Sequence, residues 1–247
     1  MFYPVVRIIV ALAGVAAVFA QFERSFSLAL VSTTPYGSDL PTMVANFFSF
    51  FTIQSNLATA VTLAVGAVWA IRHRHDRLQE PRWFAVLLTC VATYMIVTGV
   101  VYNLLLRGIE QAPGAVVGWS NEILHVWIPV FMLVDALVGY RRRALDWSTA
   151  GIVAIYPVAW ALYTLARAPF ITNPGTGVPY WYPYPFLDPN AVAGGYLGVT
   201  GYVVGIAVGI IVVATGVIAI GRWRAAAATA STPAPVRSRP GSTARHH

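Results

Sequence analysis

Long hydrophobic stretches, separated by short polar connections, dominate the pattern along the chain. A helix that crosses the hydrocarbon core of a membrane needs about 20 apolar residues. Six segments reach that length: Pro4–Phe22, Asn46–Ile71, Trp83–Leu106, Trp119–Tyr140, Ser148–Ala166 and Gly195–Gly221. The pattern therefore predicts an all-α fold, a polytopic membrane helix bundle with six transmembrane helices.

The bundle is expected to form one transmembrane domain over residues 1–224. Residues 225–247 are rich in Ala, Ser, Thr, Pro and Arg and lack the apolar content of a core, which predicts a disordered cytoplasmic tail. The first span has a second interpretation as a cleaved signal peptide, because Arg7 precedes its apolar run and Val18-Phe19-Ala20 suits cleavage. An even number of spans agrees better with the charges.

Composition indicates a chain that is solvated mainly by lipid. Hydrophobic residues make up 57% of the 247 and charged residues 10%, whereas soluble domains carry about 25% charged residues. The pI near 9.9 is typical of nucleic-acid-binding proteins. The arginines nevertheless lie in short clusters between apolar runs, so nucleic acid is not an expected partner. Cys90 is the single cysteine, which excludes a disulfide framework within the chain.

Arginines are distributed very unevenly between the two sides of the predicted bundle. One side carries thirteen of the sixteen: Arg7, Arg72, Arg74, Arg77, Arg82, Arg141, Arg142, Arg143, Arg222, Arg224, Arg237, Arg239 and Arg245. The other side carries Arg24, Arg107 and Arg167. Positively charged connections stay in the cytoplasm. We therefore expect a multi-pass protein of the bacterial plasma membrane with both termini in the cytoplasm.

Polar residues inside the predicted spans are costly in lipid and indicate function. In the second span Thr52 and Asn56 share a face, and in the fourth Asn121 and His125 stand one turn apart with Glu122 beside them. Thr52 and His125 each lie about six residues, or roughly 9 Å, from the outer surface. The third and fifth spans add further polar residues: Tyr94, Thr98, Tyr102, Asn103, Tyr163, Thr164 and Arg167. Polar groups from four helices are expected around one outward-facing cavity.

Each of these residues also has a structural interpretation. A transmembrane threonine usually bonds a backbone carbonyl one turn earlier or a neighbouring helix, and asparagines join helices. Glu122 and Asp135 are expected to be neutral or paired, because an isolated charge in a membrane is expensive. His125 is the only histidine in any span, and it suits either a structural role or that of a general base.

Glu122-x-x-His125 resembles half of a carboxylate-bridged di-metal motif. A second copy of the motif is absent from the sequence, and no other histidine lies in a span that would complete a haem site. Neither a metal nor another cofactor is expected.

The connection Pro169–Gly194 combines aromatic residues with proline. It contains the run Tyr180-Trp181-Tyr182-Pro183-Tyr184-Pro185-Phe186. Tyr and Trp favour the membrane interface, and proline stiffens the backbone. We expect an ordered aromatic lip on the outer face that gates access to the cavity.

Four segments resemble a bacterial, mainly actinobacterial, family of six-span membrane proteins, most of which have no assigned activity. They are Asn-Phe-Phe-Ser-Phe-Phe-Thr-Ile-Gln-Ser-Asn (46–56), Val-Tyr-Asn-Leu-Leu-Leu-Arg-Gly (101–108), Asn-Glu-Ile-Leu-His (121–125) and Trp-Tyr-Pro-Tyr-Pro-Phe-Leu-Asp-Pro (181–189). The resemblance covers the chain to about Gly221.

More distantly, the layout is similar to the eukaryotic androgen-induced and androgen-dependent membrane proteins. Those are intramembrane threonine hydrolases that cleave fatty acid esters of hydroxy fatty acids. Their motif residues are a threonine in the outer part of an early helix and a histidine on a later one, which match Thr52 and His125. The segment around His125 differs from theirs.

These patterns favour an intramembrane lipid-ester hydrolase that works in the outer leaflet. His125 would take the proton of Thr52 during attack on an ester carbonyl and then protonate the leaving alkoxide. Supporting or substrate-binding roles fall to four residues: Asn56 and Tyr102 as donors to the oxyanion, and Asn121 or Glu122 as the group that orients the imidazole. The expected partners are membrane lipids or an acyl-ester substrate. The alternative is a non-catalytic membrane protein that binds or transports a lipid or small molecule, and a structural subunit is third.

Overall fold

The computed structural model describes residues 2–76, 78–110, 114–139 and 142–230. Its α-helices are α1 (Phe2–Leu30), α2 (Leu40–Ser49), α3 (Phe51–Arg72), α4 (Arg82–Leu106), α5 (Gly118–Val138), α6 (Thr149–Phe170) and α7 (Tyr196–Ala230). Every one except α2 is long and apolar enough to cross a membrane. Within the described ranges there is no strand. The predicted all-α bundle with six transmembrane helices is confirmed.

Two predicted boundaries differ from the structure. The second span, predicted as Asn46–Ile71, is divided between α2 and α3 by Phe50, whose backbone is extended at φ −67° and ψ 127°. Helix α7 continues to Ala230, beyond the predicted domain end at 224, because the alanines that follow are strong helix formers. The rest of the predicted tail, 231–247, lies outside the described residues.

Helix α4 lies at the centre of the bundle. It contacts α3, α5, α6 and α7, whereas α1 packs mainly along α3. The side chains between α1, α3, α4 and α5 form an apolar core, with Leu63, Leu88, Met95 and Met132 fully buried. In lipid such helices associate through van der Waals packing rather than through a hydrophobic force. The central position brings one end of α4 against the N-terminal turns of α3 and α5.

The end of the bundle that carries Arg7, Arg72, Arg82 and Arg142 is called the arginine-rich end, and the opposite end the arginine-poor end. A buried charge cluster joins three segments at the arginine-rich end. Asp135 of α5 lies 3.1 Å from Arg7 of α1 and also bonds Arg142 and the hydroxyl of Tyr3. The prediction that Asp135 is neutral or paired is confirmed by these ion pairs.

Candidate functional site

Two helix segments at the arginine-poor end leave α geometry. Tyr102–Leu106 of α4 and Ile123–Trp127 of α5 are π-helical turns, a rare form that often marks functional sites. The amide at position 129 would bond the His125 carbonyl in the α register and the Leu124 carbonyl in the π register. Pro129 has no N–H for either bond. The α5 backbone around His125 therefore needs hydrogen-bond donors from neighbouring helices.

Two asparagines supply those donors. Asn56 Nδ2 of α3 donates to the Leu124 carbonyl at 3.3 Å and to the Thr52 carbonyl at 2.8 Å. Asn103 Nδ2 of α4 donates to the His125 carbonyl at 3.4 Å. Helices α3 and α4 thereby each hold one backbone carbonyl of α5, that of Leu124 and that of His125 respectively. Both hydrogens of the Asn56 amide are used, so the structure gives Asn56 a framework position rather than the oxyanion contact expected from the sequence.

A glycine permits the close approach of α4 and α5 at this point. A Cβ atom on Gly99 would lie 2.7 Å from Pro129 Cβ and 3.4 Å from the His125 carbonyl oxygen. Gly99→Ala should push the helices apart and lower the free energy of unfolding by about 1–3 kcal/mol. Thermal melting of the purified protein in detergent measures the loss. Gly108→Ala is the matched control, because its added Cβ meets nothing within 4 Å. Equal melting temperatures for the two variants would contradict the close approach.

The His125 ring is held in a defined orientation. Its Nδ1 lies 2.9 Å from the backbone carbonyl of Asn121, one turn earlier. A carbonyl only accepts, so Nδ1 carries the hydrogen and the Nε2 of the neutral ring keeps its lone pair. The ring also stacks on Tyr102, with centroids 4.0 Å apart and planes 23° from parallel. The group that orients the imidazole is therefore the main chain of Asn121.

The side chains that the sequence placed beside His125 have other partners. Asn121 Nδ2 donates to the Tyr102 hydroxyl at 2.5 Å. Glu122 is paired with Arg107 at 3.0 Å, and both side chains are about half exposed. The prediction that Glu122 is neutral or paired is confirmed by this ion pair. Among the described residues its carboxylate accepts no hydrogen bond from the imidazole of His125.

Thr52 is buried, and its nearest polar partner comes from the connection between α6 and α7. The Tyr184 hydroxyl lies 3.2 Å from Thr52 Oγ1 and 3.2 Å from Thr52 N. Burial raises the pKa of the Tyr184 phenol above its ordinary value, which keeps it protonated. Among the described residues Thr52 makes no hydrogen bond with His125. The sequence indicated Tyr184 only as part of the aromatic lip.

An apolar cavity of about 130 Å³ opens beside Thr52. Its walls come from residues 97–106 of α4, 154–161 of α6 and 203–211 of α7, and Tyr184, Phe186 and Leu187 cover its arginine-poor end. The residues in its lining that carry a hydroxyl group are Thr52, Thr98, Tyr102 and Tyr184. The His125 ring stacks on Tyr102, and Tyr102 lies between the histidine and the cavity.

Convergence of polar groups from four helices was predicted, and the structure brings together fewer. Helices α3 and α4 contribute hydroxyls to the cavity, but α6 lines it with apolar side chains and Trp160. Tyr163 and Arg167 of α6 instead bond α2, through Ser49 at 3.2 Å and Asn46 at 2.8 Å. The aromatic lip turns inward, so that Tyr184 and Phe186 are buried and cover the cavity.

No protein-family model, no curated protein and no solved structure matches the chain. The fold and the site define its class: a multi-pass α-helical membrane protein with an apolar cavity at one end of the bundle. The polar groups at that cavity are a buried threonine, a second threonine and two tyrosines, with a histidine stacked behind one of the tyrosines.

Proposed function

We propose that the protein is an intramembrane lipid-ester hydrolase, with Thr52 as nucleophile and His125 as general base. The observation that carries this proposal is a buried threonine, Thr52, in the wall of an apolar cavity of about 130 Å³. Ligand sites typically combine apolar walls with a few placed polar groups. A lipid ester has matching chemistry, because its acyl chain suits the walls and its carbonyl can reach the hydroxyls.

The orientation in the membrane belongs to the same proposal. The arginine-rich end faces the cytoplasm by the positive-inside rule, so the cavity lies in the outer leaflet of a bacterial plasma membrane. Both termini are then cytoplasmic, and the substrate is a lipid of that leaflet.

The reaction runs in two steps. Thr52 Oγ1 attacks the ester carbonyl carbon, its proton passes to His125 Nε2, and the alkoxide leaves with that proton. Water then attacks the acyl-threonine, again with His125 as base, and releases the acid. Tyr102 is the donor to the oxyanion: its oxygen accepts from Asn121, its own hydrogen is left for a ligand, and it lines the cavity.

The resting structure lacks one contact that this chemistry needs. Thr52 Oγ1 bonds Tyr184 rather than His125, so the threonine hydrogen must reach the imidazole when substrate fills the cavity. Catalytic hydrogen bonds are often long in unliganded enzymes and tighten on binding. The same observation favours a second function, a non-catalytic protein that holds a lipid in this cavity.

Two substitutions at Thr52 separate the functions. If Thr52 is the nucleophile, Thr52→Ser retains labelling by a fluorophosphonate probe, and Thr52→Val abolishes it. If Thr52 only joins structural elements, Thr52→Val leaves labelling unchanged. The lost hydrogen bond with Tyr184 costs roughly 0.6 kcal/mol of stability in either case. The measurement is labelling of purified protein, with the modified peptide located by mass spectrometry.

Thr62→Val is the matched control on the same helix. Thr62 is buried, but its hydroxyl bonds the Ala58 carbonyl at 2.7 Å and it is not part of the cavity wall. Full labelling of a folded Thr52→Val protein would end the hydrolase proposal and leave the lipid-binding function.

Impermeant thiol labelling tests the orientation. Cys90 is first replaced by alanine, and single cysteines are then introduced by Asp76→Cys and Tyr36→Cys. Residue 76 follows α3 at the arginine-rich end, and Tyr36 lies half exposed in the connection between α1 and α2. In intact cells Tyr36→Cys should react and Asp76→Cys should react only after the membrane is opened. The reverse result would contradict the proposed topology.

A further inference from the structure

Helix α3 begins without a cap of its own. Its N-cap residue is Phe50, which has no side-chain hydrogen-bonding group, and none of the first-turn amides is capped by a local side chain. The first amides of an α-helix have no intrahelical acceptor. The Thr52 amide finds one in the Tyr184 hydroxyl, at 3.2 Å. A tyrosine 132 residues away along the chain therefore takes the place of the missing cap.

The same hydroxyl meets the side chain of Thr52. Because the amide can only donate, the Tyr184 oxygen accepts a hydrogen bond from Thr52 N. The phenol hydrogen of Tyr184 is then free to be donated to another group. A phenol is more acidic than an alcohol, so it is the better donor of the two hydroxyls at the 3.2 Å contact. Accepting the amide hydrogen bond strengthens this donation further. Tyr184 thus donates to Thr52 Oγ1, and the threonine hydrogen is left for a base.

The position of Tyr184 is set by packing that does not depend on its hydroxyl. Its ring is parallel to that of Phe186, with centroids 5.2 Å apart, and meets Phe50 edge to face at 5.7 Å. The Trp160 ring of α6 packs against a third side of the Tyr184 ring, with centroids 5.9 Å apart. A phenylalanine at position 184 would keep these contacts and remove only the oxygen.

We propose that Tyr184 is a positioning residue for the Thr52 nucleophile, which fixes its hydroxyl through two hydrogen bonds and stabilises the alkoxide that forms during attack. This inference rests on the proposed function. As negative charge develops on Thr52 Oγ1, the bond from the phenol becomes a charge-assisted hydrogen bond, which is about twice as strong as a neutral one. Tyr184 therefore belongs to the reaction centre as well as covering the cavity.

Labelling kinetics of Tyr184→Phe test the inference. The maximal rate of fluorophosphonate labelling at Thr52 should fall about tenfold to hundredfold. The probe concentration that gives the half-maximal rate should stay unchanged, because the cavity walls are intact. A merely structural role would move both parameters or neither. Tyr182→Phe is the control in the same loop, since its hydroxyl interacts with Tyr196 rather than with Thr52, and it should label at the wild-type rate.

A double-substitution cycle on melting temperature tests the hydrogen bond independently of activity. Tyr184→Phe and Thr52→Val should lower the melting temperature by less in combination than the sum of their separate effects. Additive effects would show that the two hydroxyls are uncoupled and would overturn the inference. A folded Tyr184→Phe protein that is labelled at Thr52 at the wild-type rate would also overturn the inference. That result would leave the hydrolase proposal standing. Absence of labelling in the wild-type protein would overturn the hydrolase proposal, and the positioning role with it.

Discussion

Replacement of His125 by alanine is expected to lower the rate of lipid-ester hydrolysis about 10²–10⁴-fold, the usual cost of losing a general base. The Asn121 carbonyl holds the Nδ1 hydrogen of this ring, which leaves a lone pair on Nε2. No other histidine lies in the described transmembrane helices. The expected loss is measured as turnover of a fluorescent acyl ester by protein in lipid nanodiscs.

Two further variants make the result specific. His125→Gln keeps a polar side chain of similar length but has no titratable base, so it should be as inactive as the alanine variant. His73→Ala removes a histidine just beyond the end of α3 and should leave turnover unchanged. Loss of the stack between His125 and Tyr102 costs about 0.5–1.5 kcal/mol. The melting temperature of each variant is therefore measured to establish that it is folded. Wild-type turnover in folded His125→Ala would remove His125 from the mechanism.

Much of the fold follows from the sequence, because a span of about 20 apolar residues has few alternatives in lipid. The break at Phe50 does not follow from it. Neither glycine nor proline marks that position, and the Phe50 ring contacts Trp181 and Tyr184, which come from a distant connection. Local propensity carries no information about such contacts.

The candidate site is predictable in its residues but less so in its contacts. Helical spacing placed Asn121 and His125 one turn apart, and the structure joins them by a hydrogen bond. The partner of Thr52 could not be predicted, because Tyr184 reaches it from a loop that has no periodicity. The framework role of Asn103 had one signal in the sequence: Pro129, which frees backbone carbonyls one turn before it.

The largest expected effect on stability is at Asp135. Asp135→Asn removes the only carboxylate that Arg7 and Arg142 contact in the described part of the chain, and all three side chains are nearly fully buried. Two buried guanidinium groups would then lose the carboxylate that they share, and the buried carboxylate of Glu80, which accepts a hydrogen bond from Arg143 N, would be the remaining negative charge near them. Loss of one member of a buried ion pair typically costs about 3–5 kcal/mol. Denaturant unfolding of the purified protein in detergent should show that decrease.

Asp146→Asn is the matched control at the same end of the bundle. Asp146 is paired with Arg82 at 2.7 Å, but both side chains are 64% exposed, and exposed pairs contribute about 0–1 kcal/mol. Adding Arg7→Gln to Asp135→Asn should recover part of the loss, because it removes one of the two buried positive charges that have lost their ion-pair partner. The charge cluster would be unimportant for stability if Asp135→Asn and Asp146→Asn unfolded at the same denaturant concentration. Only a large difference between them fits a bundle whose first and fifth helices are joined by a desolvated carboxylate.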